Sequence, residues 1–408
     1  MSGGGELPIG RRVAQWRTRR RMTQQALADR LGKSKSWVDK VERGARRLDR
    51  YPTIQQIADV LRIDPAVLLG EQSSTLAGAV PTDGLDGVRA ALARYGVFQR
   101  AQCPVSAIET RRQVGHAWLT YQHARYPQVV RLLPGLLAAA QGIPDAEPDL
   151  LVQVYRIASS VLVKLDAPDL AWLAADRAVT AAGGDALLAG TAAVSLGQAL
   201  RAAGRERLAL AATLDAAVRL VPLARAQGRA PGGTRGESAV GGALLLQAAF
   251  AAATCGEAQR AGQLLDRAAD LAAGLPDSAG DDSGGERTAE AQRTCFGPVA
   301  VELARVVVAV ERGDATGAVC RHEMVIRRDG WRRLPAEYRG AYLVDAARAY
   351  LLAGDLAGAG RMLVAADAVA PAEVRSRSSA RTLLAEIARG RPAAAGVARL
   401  TTLAGLTR

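Results

Sequence analysis

Basic and hydroxyl side chains crowd one short stretch of this chain, Gly32-Lys33-Ser34-Lys35-Ser36-Trp37-Val38-Asp39-Lys40-Val41-Glu42-Arg43-Gly44, with Arg46 and Arg47 just beyond it. Positively charged multi-donor side chains at this density suit one kind of chemistry. They can donate hydrogen bonds to phosphate oxygens and to the O6/N7 edge of guanine. Such groups need a rigid element to present them, and the flanking sequence supplies one. Thr23 and Ser34 are spaced as caps of two short helices, because their hydroxyls accept the unpaired amide protons of a helix N-terminus. Ala26, Leu27 and Leu31 put apolar atoms on one face of the first helix; Trp37, Val38 and Val41 do so on the second, leaving Lys35, Ser36, Lys40 and Arg43 polar. Gly32 makes the turn between them. Two helices so joined, the second polar and basic, form a helix-turn-helix, the geometry that sets a helix into the major groove of DNA.

Other candidate chemistry is sparse. Of the three histidines, His116 and His123 lie seven residues apart, with no third metal ligand nearby in sequence. Cys320-Arg321-His322-Glu323 places two ligand types two residues apart, a poor spacing for one helix face. Gly232-Gly233-Thr234-Arg235-Gly236 lacks the Gly-Lys-Ser/Thr end of a phosphate-binding loop and the strand that should precede it. No cluster of acid, base and nucleophile emerges, so the sequence assigns no catalytic residue, no metal site and no cofactor. The four cysteines, Cys103, Cys255, Cys295 and Cys320, are scattered and read as free thiols of a reducing compartment.

The stretch from about residue 7 to residue 70 resembles the Xre family, the Cro/C1-type helix-turn-helix of phage repressors. Thr23-Gln24-Gln25-x-Leu27-Ala28 is similar to the family's second helix. Gly32-x-Ser34-x-Ser36 matches its turn and the start of its recognition helix, and Val41-Glu42-Arg43-Gly44 the end of that helix. Ile57-Ala58-x-x-Leu61 and Leu68-Leu69-Gly70 resemble helices four and five. The resemblance implies a five-helix domain that binds double-stranded operator DNA. It places Lys35, Ser36 and Lys40 at base-reading positions, with Ser34 and Trp37 beside them. Gln24, with Gln25 next to it, opens helix two where the family contacts a flanking phosphate, and Arg43, Arg46 and Arg47 follow the recognition helix toward phosphate. Arg17 and Glu42 align with a family pair, implying an internal ion pair that orients the recognition helix. The chain departs from the family at Trp37, where a small polar residue is usual; Trp37 and Val41 are expected to pack inside the domain.

The elements around this stretch follow from composition. With 408 residues the chain exceeds one compact core. It is 49% hydrophobic but only 4% aromatic, and its Ala-Leu-Arg runs favour helices. Of the net charge of +13, residues 1–72 carry +7, from 15 Lys+Arg against 8 Asp+Glu. Charge per residue is thus about fivefold denser there than in the rest, which points to a polyanionic partner for that segment. Apolar runs are broken by Arg, Asp or Gly every few residues, so neither a signal peptide nor an 18-residue membrane span is expected. The sequence divides into a DNA-binding domain (1–72), a polar Ser/Thr/Gly/Pro-bearing linker (73–84) and a helical region (85–408).

In the helical region, hairpin patterns recur. In residues 340–373, Tyr350 precedes a Gly354-Asp355 turn, then Ala359, Leu363, Ala366 and a closing Pro371 follow; residues 190–223 repeat the pattern with Leu196-Gly197, Gly204, Ala209, Ala216 and Pro222. These units resemble tetratricopeptide repeats, and weaker ones begin near 112, 152, 242 and 299. Two Gly/Ser/Asp-rich stretches, Ala226 to Gly242 and Pro276 to Glu290, read as loop insertions. The fold expected is all-α: a Cro/C1-type domain followed by an α-solenoid of tetratricopeptide-like hairpins. The architecture resembles that of bacterial transcription regulators, peptide-pheromone receptors and a large actinobacterial group among them. That resemblance implies a cytoplasmic, nucleoid-associated homodimer whose solenoid senses a peptide or small-molecule effector. Tyr155, Arg156, Gln198, Gln247 and Arg305, expected on first helices of the pairs, are the candidate ligand contacts. The rival reading is an interaction scaffold whose solenoid holds a protein partner.

Overall fold

The computed structural model describes residues 9–20, 22–46, 48, 51–61, 68, 82–94, 106–143, 148–226, 234–275, 293–390 and 396–406. Its described residues contain α- and turn structure and no strand. The chain forms two compact units, Met1–Leu76 and Ala77–Arg408.

In the first unit, α1 (Ile9–Arg19), α2 (Gln24–Leu31), α3 (Lys35–Glu42) and α4 (Tyr51–Leu61) pack around Val13, Leu27, Ala28, Val38, Ile57, Leu61 and Leu68. The caps are those the sequence signals. The Ala26 amide donates to Thr23 Oγ1 at 3.1 Å and the Trp37 amide to Ser34 Oγ at 3.1 Å. Gly32 ends α2 in the left-handed region, φ +63°, where a Cβ would be strained. One glycine serves a different purpose. A Cβ built on Gly10 would lie 2.0 Å from the Val41 carbonyl oxygen, so α1 rests directly on the backbone at the end of α3.

The second unit opens with α5 (Thr82–Ala93), which begins inside the stretch read as linker. Six helical hairpins follow: α6 (Ala107–Gln122) with α7 (Tyr126–Gln141), α8 (Pro148–Lys164) with α9 (Pro168–Ala181), α10 (Ala186–Ala202) with α11 (Glu206–Ala226), α12 (Arg235–Thr254) with α13 (Ala258–Ala272), α14 (Pro298–Glu311) with α15 (Ala315–Val325), and α17 (Ala336–Leu352) with α18 (Leu356–Val369). A short α16 (Asp329–Arg333) precedes the sixth pair, and α19 (Pro371–Arg375), α20 (Ser378–Arg389) and α21 (Val397–Leu403) follow it. Each hairpin turns through one left-handed residue: Ala124, Asp166, Gly204, Gly256, Gly313 and Gly354. The next amide then reaches back five residues, as Arg205 does to the Leu200 carbonyl at 2.8 Å and Asp355 to that of Tyr350 at 2.9 Å. This bond satisfies a carbonyl that the helix end leaves open.

Three expectations are corrected here. The stretch from Ala226 to Gly242 is not all loop: α12 starts at Arg235, and Gly236, Gly241 and Gly242 lie buried within it. Packing overrides local propensity there, because the Phe296 ring occupies the space a Cβ on Gly242 would need. Similarly, Pro222 does not close its unit, since α11 continues to Ala226. The Pro276 to Glu290 insertion lies outside the described residues. An 18-residue apolar window does exist, in Arg235–Thr254, with mean hydropathy 1.2; 72% of it is buried inside the unit, where α12 is a core helix.

First helices stack on first helices around the unit: α6 on α8, α8 on α10, α10 on α12, α12 on α14, and α14 on α17. The sequence closes on itself, because α17 also touches α6. Among the described residues the solenoid is therefore a ring of six hairpins, with first helices inside.

Candidate functional site

The surface of α3 is built by two constraints. Its apolar side, Val38 and Val41, is buried against the core. Its other side presents Lys35, Ser36 and Lys40, all exposed. Trp37 is half-buried against the same core, and the Arg46 guanidinium sits 5.9 Å from its ring centre. Arg46 thereby lies beside the recognition helix, held by a cation–π contact and by its amide, which donates to the Lys40 carbonyl at 3.0 Å. Arg43 folds back along α3 onto Asp39 one turn earlier, so it must exchange that partner to reach a phosphate. Arg47 lies outside the described residues.

Glu42 is the pivot beneath this surface. It is 5% exposed, and Arg17 grips it with two bonds, Nε to Oε1 at 2.6 Å and Nη2 to Oε2 at 3.0 Å. Arg17 Nη1 also donates to the Met22 carbonyl at 2.7 Å, tying the end of α1 to the entrance of α2. Gln24, placed by family resemblance on a phosphate, donates to Glu42 Oε2 at 2.8 Å. Gln24 is the first residue of α2, directly after the Thr23 cap, and its amide turns inward to the buried carboxylate. Gln25 is exposed and donates to Asp29 at 2.7 Å. The result is a rigid, partly buried network joining α1, α2 and α3 behind an exposed basic helix face.

In the second unit the inner helices line a partly open lumen of about 460 Å3. Its lining follows the helical repeat on each inner helix: Trp118 and Tyr121 on α6, Arg156 and Ser160 on α8, Gln198 and Arg201 on α10, Gln247 and Phe250 on α12, Leu303 and Val307 on α14, Tyr338 and Asp345 on α17. Of the five sequence candidates for ligand contact, Arg156, Gln198 and Gln247 line this lumen. Tyr155 and Arg305 do not. Tyr155 belongs to the core, its hydroxyl accepting from Gln141 at 2.9 Å, and Arg305 pairs with Asp266 at 3.0 Å and with Glu302 at 3.5 Å. One position of offset along a helix rotates a side chain by about 100°, which separates Tyr155 from Arg156.

The ring is closed by a buried ionic seam that no spacing in the sequence signals. Lys164 Nζ, at the end of α8, lies 2.6 Å from Glu337 Oε1 on α17 and 2.9 Å from Glu373 Oε1 on α19. Arg377 donates to the other oxygen of Glu373 at 2.8 Å. Tyr121 donates to Glu337 at 3.1 Å, and Tyr126 to Glu373. Burial alone would neutralise these groups. Burial pushes the Glu373 carboxyl up, but Lys164 and Arg377 outweigh it and hold the pKa below its ordinary value. Burial likewise works against the Lys164 ammonium, and Glu337 and Glu373 raise it above the usual lysine range. Cys295, at the lumen wall, is pushed up to about 12 by burial and by Glu337, so it remains a thiol.

The histidines build no common site. His116 is on α6, and His123 caps that helix with its ring nitrogen 2.7 Å from the Leu119 carbonyl. Cys320 is exposed, whereas His322, two residues on, is buried with Nδ1 2.9 Å from the Tyr342 hydroxyl.

A helix-turn-helix domain followed by an all-α ring of helical hairpins is the class of protein this geometry defines. The helix-turn-helix domain family matches residues 8–69. Among solved structures, PlcR of Bacillus thuringiensis, in complex with the peptide PapR7 and DNA, is similar at 12% identity and a TM-score of 0.37, over 79% of this chain and 95% of that one. No curated protein sequence matches the chain.

Proposed function

We propose that this protein is a sequence-specific, DNA-binding transcription regulator of the Xre type, that it acts in the cytoplasm as a homodimer, and that its ring domain carries the effector site. The observation that carries the reading is α3. It exposes Lys35, Ser36 and Lys40 on one face while Glu42, Arg17 and Gln24 fix its position from behind. Rigid presentation of three donors is what base reading in a major groove requires. A single domain of this size contacts about one half-site, so a second copy on a palindromic site supplies the missing affinity, with half-sites about 10 bp or a multiple apart. The dimer contacts are assigned mainly to the ring unit, which has the larger surface.

The test is selection of duplexes from a random pool with the full chain, followed by anisotropy titrations at several salt concentrations. A regulator of this kind shows log affinity falling linearly with log salt. Lys40→Ala should cost ~1–3 kcal/mol on the selected site if it reads a base, relaxing the preference at one position. Failure to enrich any sequence, together with no duplex binding at low salt, would overturn the reading. Sedimentation of the chain with and without the selected duplex checks the dimer.

A further inference from the structure

Charge on the ring unit is unevenly spread. Residues 1–72 carry +7 of the net +13, which leaves +6 for the rest of the chain. Half of that, +3, falls in the stretch Arg327-Arg328-Asp329-Gly330-Trp331-Arg332-Arg333. This stretch leads from α15 through the short α16 toward α17. Its apolar neighbours are turned inward. Val325 and Gly330 are buried, and Ile326, Trp331 and Leu334 pack against the core around Tyr342, whose ring meets that of Trp331 edge to face at 5.4 Å. Three backbone bonds hold the turn. The Arg328 amide donates to the Val325 carbonyl at 3.1 Å, the Trp331 amide to that of Arg328 at 3.1 Å, and the Leu334 amide to that of Trp331 at 3.3 Å. Anchored from beneath in this way, the stretch presents Arg327, Arg328, Arg332 and Arg333 outward, and all four are exposed.

Elsewhere on the ring, exposed arginines commonly stand beside an acid: Arg112 with Glu109 at 2.9 Å, Arg219 with Asp215 at 2.9 Å, Arg260 with Glu257 at 2.9 Å. Among the described residues, no ion pair or side-chain hydrogen bond engages any of the four guanidinium groups of this stretch. The acid on the preceding helix, Glu323, accepts from the Tyr350 hydroxyl at 3.3 Å. Like charges one helical turn apart, as at Arg328 and Arg332, repel each other, so a polyanion would relieve the cluster. A guanidinium fork matches phosphate oxygens, and phosphate contact needs clustered cations on a fixed surface rather than any base-reading geometry.

We propose that this arginine cluster is a second DNA-contact surface, carried by the ring unit, that grips the phosphate backbone of duplex DNA without reading its sequence. This goes beyond the regulator reading, which gives the DNA to α3 alone. Two contacts in one chain act as linked binding modules, so a modest phosphate contact on the ring multiplies the affinity that α3 sets.

The test is fluorescence anisotropy on the full chain with a labelled duplex of scrambled sequence, about 40 bp or four helical turns, titrated over a series of NaCl concentrations. The variant R327Q/R328Q/R332Q/R333Q should bind about 10- to 100-fold more weakly near 0.1 M salt, with a log–log slope shallower by about 2–4, since each phosphate contact contributes ~0.9. R327K/R328K/R332K/R333K keeps the charge and should retain most of the affinity. A matched variant, R207Q/R267Q/R389Q/R399Q, removes the same charge from other exposed positions of the ring and should stay within about threefold of the unmodified chain. Circular dichroism melts identify a variant that fails to fold; the half-variants R327Q/R328Q and R332Q/R333Q then decide, each expected to take about half of the slope change. Unchanged affinity and slope in the glutamine variant, or an equal loss in the matched one, overturns the inference. Cluster-dependent binding of a labelled poly-L-glutamate probe, with DNA affinity unchanged, assigns the surface to an acidic protein and overturns it too. Selection of duplexes from a random pool is scored separately. No enriched sequence, with the cluster's contribution on the scrambled duplex intact, overturns the regulator reading alone; an enriched sequence with no contribution from the cluster overturns the ring contact alone.

Discussion

Replacing Glu42 by alanine is the most informative perturbation of the first unit. The carboxylate accepts two bonds from Arg17 and one from Gln24, and the glutamate is 5% exposed. Each hydrogen bond to a charged group contributes roughly 1.5–3 kcal/mol, so the three bonds set an upper limit well above the final cost. Two features reduce it. The Arg17 side chain is 16% exposed, and it keeps its bond to the Met22 carbonyl, so the stranded guanidinium can turn partly to water. Breaking a buried pair by removing one partner costs roughly 3–5 kcal/mol, and the lower end, about 3 kcal/mol, fits this geometry. A unit of this size is stable by only about 4–10 kcal/mol, so the variant should hover near its unfolding threshold at physiological temperature.

Native-state amide exchange on the full chain, read by mass spectrometry over residues 9–61, isolates this unit from the ring. Protection in α1–α3 should fall by about two orders of magnitude in Glu42→Ala, since 1.4 kcal/mol is a factor of ten. Glu42→Gln keeps the shape and one acceptor, and should lose about half as much. Protection in α8 and α12 should not change. A loss below about 1 kcal/mol would mean that the pair behaves as an exposed ion pair and would refute the network as what fixes α3. Altered sequence preference on duplexes with unchanged protection would instead make Glu42 a reading residue.

Four further outcomes are expected. Gly10→Ala should destabilise the first unit by about 1–3 kcal/mol, because its Cβ meets the Val41 carbonyl oxygen rather than a flexible side chain; a thermal melt without a shift would show that α1 can slide. Ala124→Gly should stabilise the ring by about 0.5–1 kcal/mol, since a left-handed alanine costs ~1–2 kcal/mol and glycine returns part of that gain through its unfolded-chain entropy; urea titration of the ring reads it. Lys164→Met should cost roughly 3–5 kcal/mol and lower exchange protection in α6 and α17 together, because Glu337 and Glu373 lose their shared cation; loss in α8 alone would deny the closure. Acidification should destabilise the ring through His322. Burial lowers its pKa from 6.5 to about 4, the nearby Glu323 opposing weakly. Its contribution is complete above the unfolded value and is lost as pH falls from about 6.5 toward 4, to a total of about 3 kcal/mol. His322→Phe should flatten that slope in pH-dependent melts, and an unchanged slope would assign the acid sensitivity elsewhere.

The first unit was legible because its signals are local. Thr23, Gly32 and Ser34 are caps and a turn whose meaning depends on residues three or four positions away, and the Arg17–Glu42 alignment came from family resemblance. Local signals do not give the bond from Gln24 to Glu42, which depends on where the end of α3 falls. Repeats were legible in proportion to their turns. Residues 340–373 and 190–223 turn through Gly354 and Gly204 and stood out, whereas the first two hairpins turn through Ala124 and Asp166, which carry no glycine signal. The glycines of α12 misled for the opposite reason: Gly242 and Gly236 are packing residues inside a helix, not loop residues.

Closure of the ring belongs to a different order of information. The two tyrosine bonds across the seam join residues 216 and 247 positions apart, and along the sequence Lys164, Glu337, Glu373 and Arg377 look like ordinary solvated charges at helix ends. They acquire their role only when six hairpins, of unequal spacing, bring the last inner helix back to the first. An open solenoid of the same repeats would leave these four residues in water, where each pair is worth under about 1 kcal/mol. In the ring, Glu373 is fully buried and both of its carboxylate oxygens are bonded. The same closure turns a concave face into a lumen bounded by the inner helices and still partly open. Arg156 is 2% exposed there, beside Trp118. Repeat number and insertion length, rather than any motif, thus determine whether the inner helices close around a cavity at all.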